Sequence, residues 1–382
     1  MKVEAFIPAV LLLCFGVMLG LKSSCALQMG KESRSYISWE DLRVVEDGRP
    51  ERSFSVKEDK SNSVNTNANV NANAKNATSL ERFIVVDKNG RGDSVTVQGA
   101  VDMVPRSNSQ RVKIFILPGI YREKVTVPRS KPYISFIGNE SYVEETVISW
   151  SDKASDLDSD GKELGTCRTA SVSIESDFFC ATAITFENTV VAEAGEKGKQ
   201  GVALKVTGDK AVFYKVRVLG SQDTLFDDNG SHYFYQSYIQ GDVDFIFGNG
   251  KSLYQDCHIH STAKRYGAIA AHHRDSPTED TGFSFVNCDI NGTGKVYLGR
   301  AWGKYSRTVY SNCFIADIIT RVGWSDWQDP ERQRTAMFGE YNCRGRGAER
   351  GGRAPWTKTL TRNEVKPFLS REFIYGDQWL RL

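Results

Sequence analysis

Between residues 186 and 315 the apolar positions recur in one order: an aromatic, a small or polar residue three places on, and Ile or Val five places on. The triplets are Phe186/Thr189/Val191, Phe213/Val216/Val218, Phe234/Ser237/Ile239, Tyr254/Cys257/Ile259, Phe285/Cys288/Ile290 and Tyr310/Cys313/Ile315. Successive aromatics stand 27, 21, 20, 31 and 25 residues apart. Self-similarity at such periods marks a solenoid. Each unit is a short alternating run between Gly, Asn or Asp turns, which is a strand pattern. Units of ~20–25 residues are too short for a strand–helix–strand crossover of ~30 residues. The pattern predicts an all-β fold, a single-stranded right-handed parallel β-helix that lays one strand on each sheet per turn. An antiparallel sandwich also has short, regularly spaced strands. The uneven steps favour the solenoid, because insertions between turns loop out on one face.

Ahead of the repeat, strands are expected at Phe83–Val86, Val112–Leu117, Tyr133–Ile137 and Val147–Trp150. Val95, Val97, Ala100, Val101 and Val104 have helical spacing and stop at Pro105. A helix there would cap the apolar end of the first turn. Thr361 and Glu364 form a capping-box pattern for a short helix through Leu369.

The first 80 residues do not fit this scheme. Residues 1–26 read as a secretory signal peptide: Lys2 gives a positive start, Ala5–Leu21 is uncharged and apolar, and Ser24-Cys25-Ala26 supplies small residues for cleavage. A membrane anchor is the competing reading, but Pro8 interrupts a run at the short end of the ~17–25 residues a span needs. Residues 27–80 are polar, end in the Asn/Ala-rich run Asn65–Asn76, and are expected to be disordered. Residues 81–382 then form one large solenoid domain. A net charge of +2 permits weak attraction to an acidic polymer without demanding it, and no basic stripe suggests nucleic acid.

A secreted route gives the cysteines and asparagines a context. Sequons stand at Asn76, Asn139, Asn229 and Asn291, so a glycoprotein is expected. Cys257 and Cys288 occupy one slot of consecutive units and are expected to form a disulfide, with Cys313 as a competitor; small buried core residues are the alternative.

Candidate chemistry sits on successive turns: Gln200, then Gln222 and Asp223, then Asp244, with Arg300 and Trp302 further on. Turns of a parallel β-helix lie ~4.8 Å apart, so Asp223 and Asp244 would face each other, one protonated and one ionised. An Arg beside the ionised acid would aim it, Gln amides suit an oxyanion, and Trp302 offers a flat face to a sugar. This is a kit for acyl transfer. Each residue also has a plainer reading: turn capping for the two Asp, a polar ladder for the two Gln, a surface ion pair for Arg300. His258, His260, His272 and His273 lack a second ligand cluster and are left as solvated or structural. Asp326 and Asp329 read as loop residues.

Four motifs in order resemble the plant pectin methylesterases (pectinesterases). They are Gly119-Ile120-Tyr121-Arg122-Glu123, Gln222-Asp223-Thr224-Leu225, Asp244-Phe245-Ile246-Phe247-Gly248 and Leu298-Gly299-Arg300-Ala301-Trp302. The resemblance spans about residues 80–382 and is greatest to the quartet-type enzymes that act around pollen tetrads. It implies a secreted, cell-wall enzyme that hydrolyses C6 methyl esters of homogalacturonan to de-esterified pectin and methanol. It further implies Asp244 as nucleophile, Asp223 as general acid and then base, Gln222 and Gln200 as oxyanion donors, Arg300 as the group orienting Asp244, and Trp302 lining the sugar groove. No metal or cofactor is implied. The expected partners are pectin and a proteinaceous pectinesterase inhibitor, and the expected state is a monomer. Two positions depart from the family pattern, Ala301 where Pro is frequent and Gly250 where Ala is usual. A pectate lyase, a polygalacturonase and a non-catalytic wall-binding solenoid remain rivals, and only an esterase releases methanol.

Overall fold

The computed structural model describes residues 35–43, 82–191 and 196–382. The expected signal peptide, most of the polar segment and the Asn76 sequon lie outside them. The described chain winds as a right-handed parallel β-helix, three strands to a turn, and every ladder between strands is parallel. The first face stacks eleven strands in chain order, from Arg82–Val86 to Lys358–Thr359. The second and third faces merge into one sheet of fourteen strands, because His258–His272 and Asp289–Arg300 run round the corner between them.

The aromatic positions of the repeat lie side by side on the first face. Phe213, Phe234, Tyr254, Phe285 and Tyr310 are in register on consecutive turns. Their rings stack at centroid distances of 4.6, 4.8, 4.6 and 4.5 Å, close to the rung spacing, and each such pair adds ~0.5–1.5 kcal/mol beyond burial. Two residues after each aromatic the chain turns to the second face through positive φ: Lys215 50°, Gln236 51°, Asp256 53°, Asn287 56° and Asn312 55°. Asn and Asp enter this region at low cost.

The first triplet is displaced. Phe213 pairs with Ala181, not with Phe186, and Phe186 pairs with Val218 on the second face. The unit is therefore Ala181/Ile184/Phe186. Ala181 is not aromatic, so an aromatic template slides five residues along the chain.

The two expected helices form. Val97–Asp102 is capped by Thr96 and buries Val97, Ala100 and Val101 at the end of the core. Arg362–Val365 carries the Thr361/Glu364 capping box and continues as a 3₁₀ turn over Lys366–Phe368.

Two expectations are corrected. Residues 35–43, inside the segment expected to be disordered, fold onto the solenoid. Ile37–Ser38 pairs with Leu380–Arg381, Ile37 and Leu42 are fully buried, and Asp41 bonds Arg111 at 3.1 Å. Three apolar residues in nine provide that anchor, and a composition read over fifty residues averages them away.

The second correction concerns the cysteines. Cys257 and Cys288 are free thiols. With Cys313 and Cys343 they form a ladder in which each Sγ donates to the carbonyl of the aromatic one turn back: Phe234, Tyr254, Phe285 and Tyr310. Ser237 begins the ladder with the same bond to Phe213. In-register side chains point the same way with Cβ atoms about one rung (~4.8 Å) apart, whereas a disulfide needs ~3.5–4.5 Å.

Candidate active site

The third face carries an outward row that runs across the strands: Lys205, Phe226, Phe247, Ala271, Arg300 and Ser325 are in register on successive turns. The candidate acids stand beside this row, Asp223 in the turn that leads into it and Asp244 near the start of the strand Val243–Gly248. Asp223 precedes the strand Leu225–Asp227, and its N–H donates to Val243 O at 3.1 Å, so Asp223 and Asp244 lie on adjacent turns. Gly201 N–H donates to Gln222 O at 3.1 Å, which places Gln200 one turn further back. The sequence-expected group is thus brought onto one patch.

Local backbone conformation aims the acids. Asp223 and Asp244 both have positive φ, 62° and 48°. At Asp244 the ladder to the next strand slips: Val243 pairs with Ala268 but Ile246 with Ala270. Such a bulge re-aims a side chain at the cost of regular pairing. Gly241 makes room beneath it, because a Cβ there would stand 2.2 Å from Phe245 Cβ.

Arg300 holds Asp244 with a two-pronged grip, Nε to Oδ1 at 2.8 Å and Nη2 to Oδ2. Its guanidinium lies flat on Trp327, 4.0 Å from the ring centroid. Asp244 is 5% exposed. Burial raises its pKa above the ordinary carboxylate value, and the hydrogen bonds and charge of Arg300 offset part of that rise. Asp223 has no such grip. Among the described residues its one side-chain bond is a 3.4 Å contact from Thr166 Oγ1. Burial, then the charge of Asp244, push its pKa well above the ordinary carboxylate range against a weaker pull from Arg300. Asp223 is therefore the more readily protonated member of the pair and Asp244 the more readily ionised.

Phe226 and Phe247 stack at 4.7 Å and 4° to pave the floor. Trp302 leans on Phe247 at 6.1 Å and on His273 at 4.0 Å. Arg332 secures this corner by donating to the carbonyls of Ala301 and Trp302. Behind the floor, Asp227 turns inward and is fully buried, bonded by His232 Nδ1 and Tyr254 Oη.

Both departures from the family pattern have a physical counterpart. A Cβ on residue 250 would stand 2.6 Å from Asp227 Oδ1, so Gly250 leaves the buried carboxylate its place. Ala301 donates its N–H to Ser325 O at 2.9 Å, a bond proline cannot make.

Trp327, Thr166, Arg332 and Ala271 escaped the sequence reading. Trp327 had a signal, since the 25-residue step of the last repeat unit carries Trp302 onto it. Thr166 had none, because it reaches Asp223 from a loop 57 residues earlier. Of the remaining His residues, His258 and His260 share the Asn291 side-chain oxygen at 3.1 and 2.8 Å, and buried His272 is pushed down to about 3 by desolvation. Asp326 accepts from Gln333 and Asp329 caps the turn Pro330–Arg334, both in the loop beyond Trp324–Ser325.

A pectinesterase family model matches residues 83–377. The chain is 85% identical over 384 residues to pectinesterase QRT1 of Arabidopsis thaliana, covering 100% of each. It is 43% identical over 313 residues to probable pectinesterase 8 of the same plant, covering 80% of this chain and 78% of that one. Among solved structures, pectin methylesterase from carrot superposes with a TM-score of 0.72 at 34% identity, covering 80% of this chain and 96% of the carrot chain.

Proposed function

This chain belongs to the pectinesterase family and is a carboxylic ester hydrolase; from that premise we propose that it cleaves the C6 methyl esters of homogalacturonan through the Asp223–Asp244 pair. The observation that carries the proposal is the asymmetry of the pair: one Arg grips Asp244 with two prongs and leaves Asp223 to hold the proton.

In the proposed reaction, an Asp244 carboxylate oxygen bonds to the ester carbonyl carbon while Gln222 and Gln200 amides donate to the developing oxyanion. Collapse breaks the bond to the methoxy oxygen, which takes the proton from Asp223 and leaves as methanol. The galacturonyl group is then an anhydride on Asp244. Asp223, now ionised, removes a proton from water; the water oxygen bonds to the acyl carbon and Asp244 departs as carboxylate. Each turnover consumes one water and restores the proton to Asp223. Among the described residues the side-chain oxygen of Gln200 is buried without a hydrogen-bond partner. Phe226, Phe247 and Trp302 supply the apolar floor and wall on which sugar faces stack.

The secreted, wall-modifying setting and a role in separating pollen tetrads are part of the same proposal, supported by the signal-like residues 1–26 and the identity to the Arabidopsis enzyme. Asn139 and Asn229 are exposed sequons. The polar segment before residue 81, a monomeric state and inhibition by a proteinaceous inhibitor are proposed likewise, from the family resemblance and the composition.

The deciding experiment supplies highly methyl-esterified homogalacturonan and measures methanol. We expect methanol and new carboxylates in equal amounts. Unsaturated uronides, or new reducing ends without methanol, would replace this reading with a lyase or a glycosidase.

A further inference from the structure

Away from the dyad, a cavity of about 580 Å³ opens at the corner where the second face meets the third. Its wall carries Lys295, Arg321, Arg346 and Arg353 against two acids, Asp317 and Glu349. Arg353 is committed to the framework: its Nε donates to buried Glu340 at 2.9 Å and its Nη2 to Gly347 O, which fixes the glycine-rich loop 345–352. Lys295 is paired with Asp317 at 3.0 Å. Arg321 and Arg346 are different. Both are exposed, and neither has a salt-bridge partner among the described residues. Gly352 lets Arg321 lie against the loop, since a Cβ there would stand 2.2 Å from Arg321 Cγ. At the rim stands Tyr266, 76% exposed, a large aromatic that the fold leaves in water.

We propose that this cavity is a second carbohydrate site, which binds free galacturonate units of the polymer: Arg321 and Arg346 take the carboxylates and Tyr266 stacks on a sugar ring. Arg presents a planar fork that matches a carboxylate, and an aromatic face suits a pyranose. The choice of polymer rests on the pectinesterase reading, whereas the preference for an acidic sugar rests on the cavity alone. The position gives the site a use. Tyr266 pairs with Lys295 and Ala271 with Arg300 on the same two strands. The rim is thus five residues, at most ~17 Å of extended chain, from the Arg that grips Asp244. A polymer whose esters have just been removed acquires the charge this cavity selects, so the site retains product chain beside the dyad and promotes runs of adjacent cleavages.

The test uses the full secreted chain and a de-esterified galacturonate oligomer, which carries no ester and reads binding apart from catalysis. Arg321→Ala with Arg346→Ala should weaken binding by about tenfold or more, the worth of charge-assisted hydrogen bonds. Tyr266→Ala should weaken it severalfold, and methanol release from a short methylated oligomer should stay within twofold in both. On long pectin the variants should leave scattered rather than contiguous carboxylates. Unchanged oligomer affinity in both variants overturns the proposal. So does equal binding of dextran sulfate that ignores Tyr266, which would reduce the cavity to a patch of charge. Loss of methanol release in the wild-type protein would instead overturn the catalytic reading and leave the oligomer-binding result standing.

Discussion

Arg300 grips Asp244 across an intervening strand. Asp244 lies on Val243–Gly248 and Arg300 on Asp289–Arg300, and the strand between them presents Ala271 in register with Arg300. Arg300 Nε reaches the carboxylate at 2.8 Å, and the residue beside Arg300 on the intervening strand is an alanine. A small residue at 271 is therefore part of the site, although it donates nothing.

Ala271→Leu should disable the enzyme without unfolding it. Overpacking costs ~1–3 kcal/mol, which a large solenoid tolerates, but the longer side chain occupies the path of Arg300. We expect methanol release to fall at least about tenfold, equivalent to ~1.4 kcal/mol, with circular dichroism unchanged. Near-normal turnover would show that Arg300 reaches Asp244 by another route.

Arg300→Lys should be similarly severe. A point charge replaces neither the two-pronged contact nor the flat contact on Trp327. If Lys restores more than about a third of the activity, only the charge matters and the geometry of the grip is incidental, a threshold set on the ~1.4 kcal/mol per tenfold scale.

The dyad makes a signed prediction about pH. Burial and the neighbouring charge raise the pKa of Asp223 in the folded protein. A raised carboxylate contributes full stability below its unfolded pKa of ~3.9 and loses it as pH rises through the folded value. Asp223→Asn cannot ionise, so its Tm should exceed the wild-type value at neutral and alkaline pH, and the difference should close at acid pH. Activity of the wild type should be bell-shaped, with Asp244 setting the acid limb and Asp223 the alkaline limb. Melting curves across pH settle the first point; a Tm difference independent of pH would contradict it.

The cysteine ladder makes a different kind of claim. Ser237 already fills the same slot with the same bond, so Cys288→Ser should cost within about 1 kcal/mol, whereas Cys288→Ala leaves a cavity and removes the bond to the Tyr254 carbonyl and should cost ~1–3 kcal/mol. Non-reducing peptide mapping should find Cys257 and Cys288 as free thiols. A Cys257–Cys288 bridge would overturn the ladder.

The period of the sequence made the solenoid legible, because in-register stacking repeats a side chain each turn and the chain must therefore repeat its pattern. The same logic brought Gln200, Gln222, Asp223 and Asp244 onto adjacent turns from spacing alone. It failed where the repeat loses its character, as at Ala181, where a small residue takes the aromatic slot. It failed also where contacts cross the period: Thr166 reaches Asp223 from a loop, and Arg332 reaches Trp302 from a turn 30 residues on. Ile37 and Leu42 were hidden for another reason, since nine folded residues inside a long polar stretch carry too little apolar weight to change its composition. Slot-sharing by Cys257 and Cys288 was correctly read as proximity, but proximity in a parallel ladder leaves side chains abreast rather than converging.

The most direct test of the account is a covalent one. Asp223→Asn removes the group proposed as acid for methanol and base for water but leaves Asp244 and Arg300 in place. Offered a galacturonate oligomer esterified with a better leaving group than methanol, the variant should acylate and stall. Intact mass should rise by the galacturonyl acyl group, and peptide mapping should place the adduct on Asp244; the variant carrying both Asp223→Asn and Asp244→Asn should show none. Steady turnover with no adduct, or an adduct on any other residue, would contradict the assignment of Asp244 as nucleophile and Asp223 as the base that frees it.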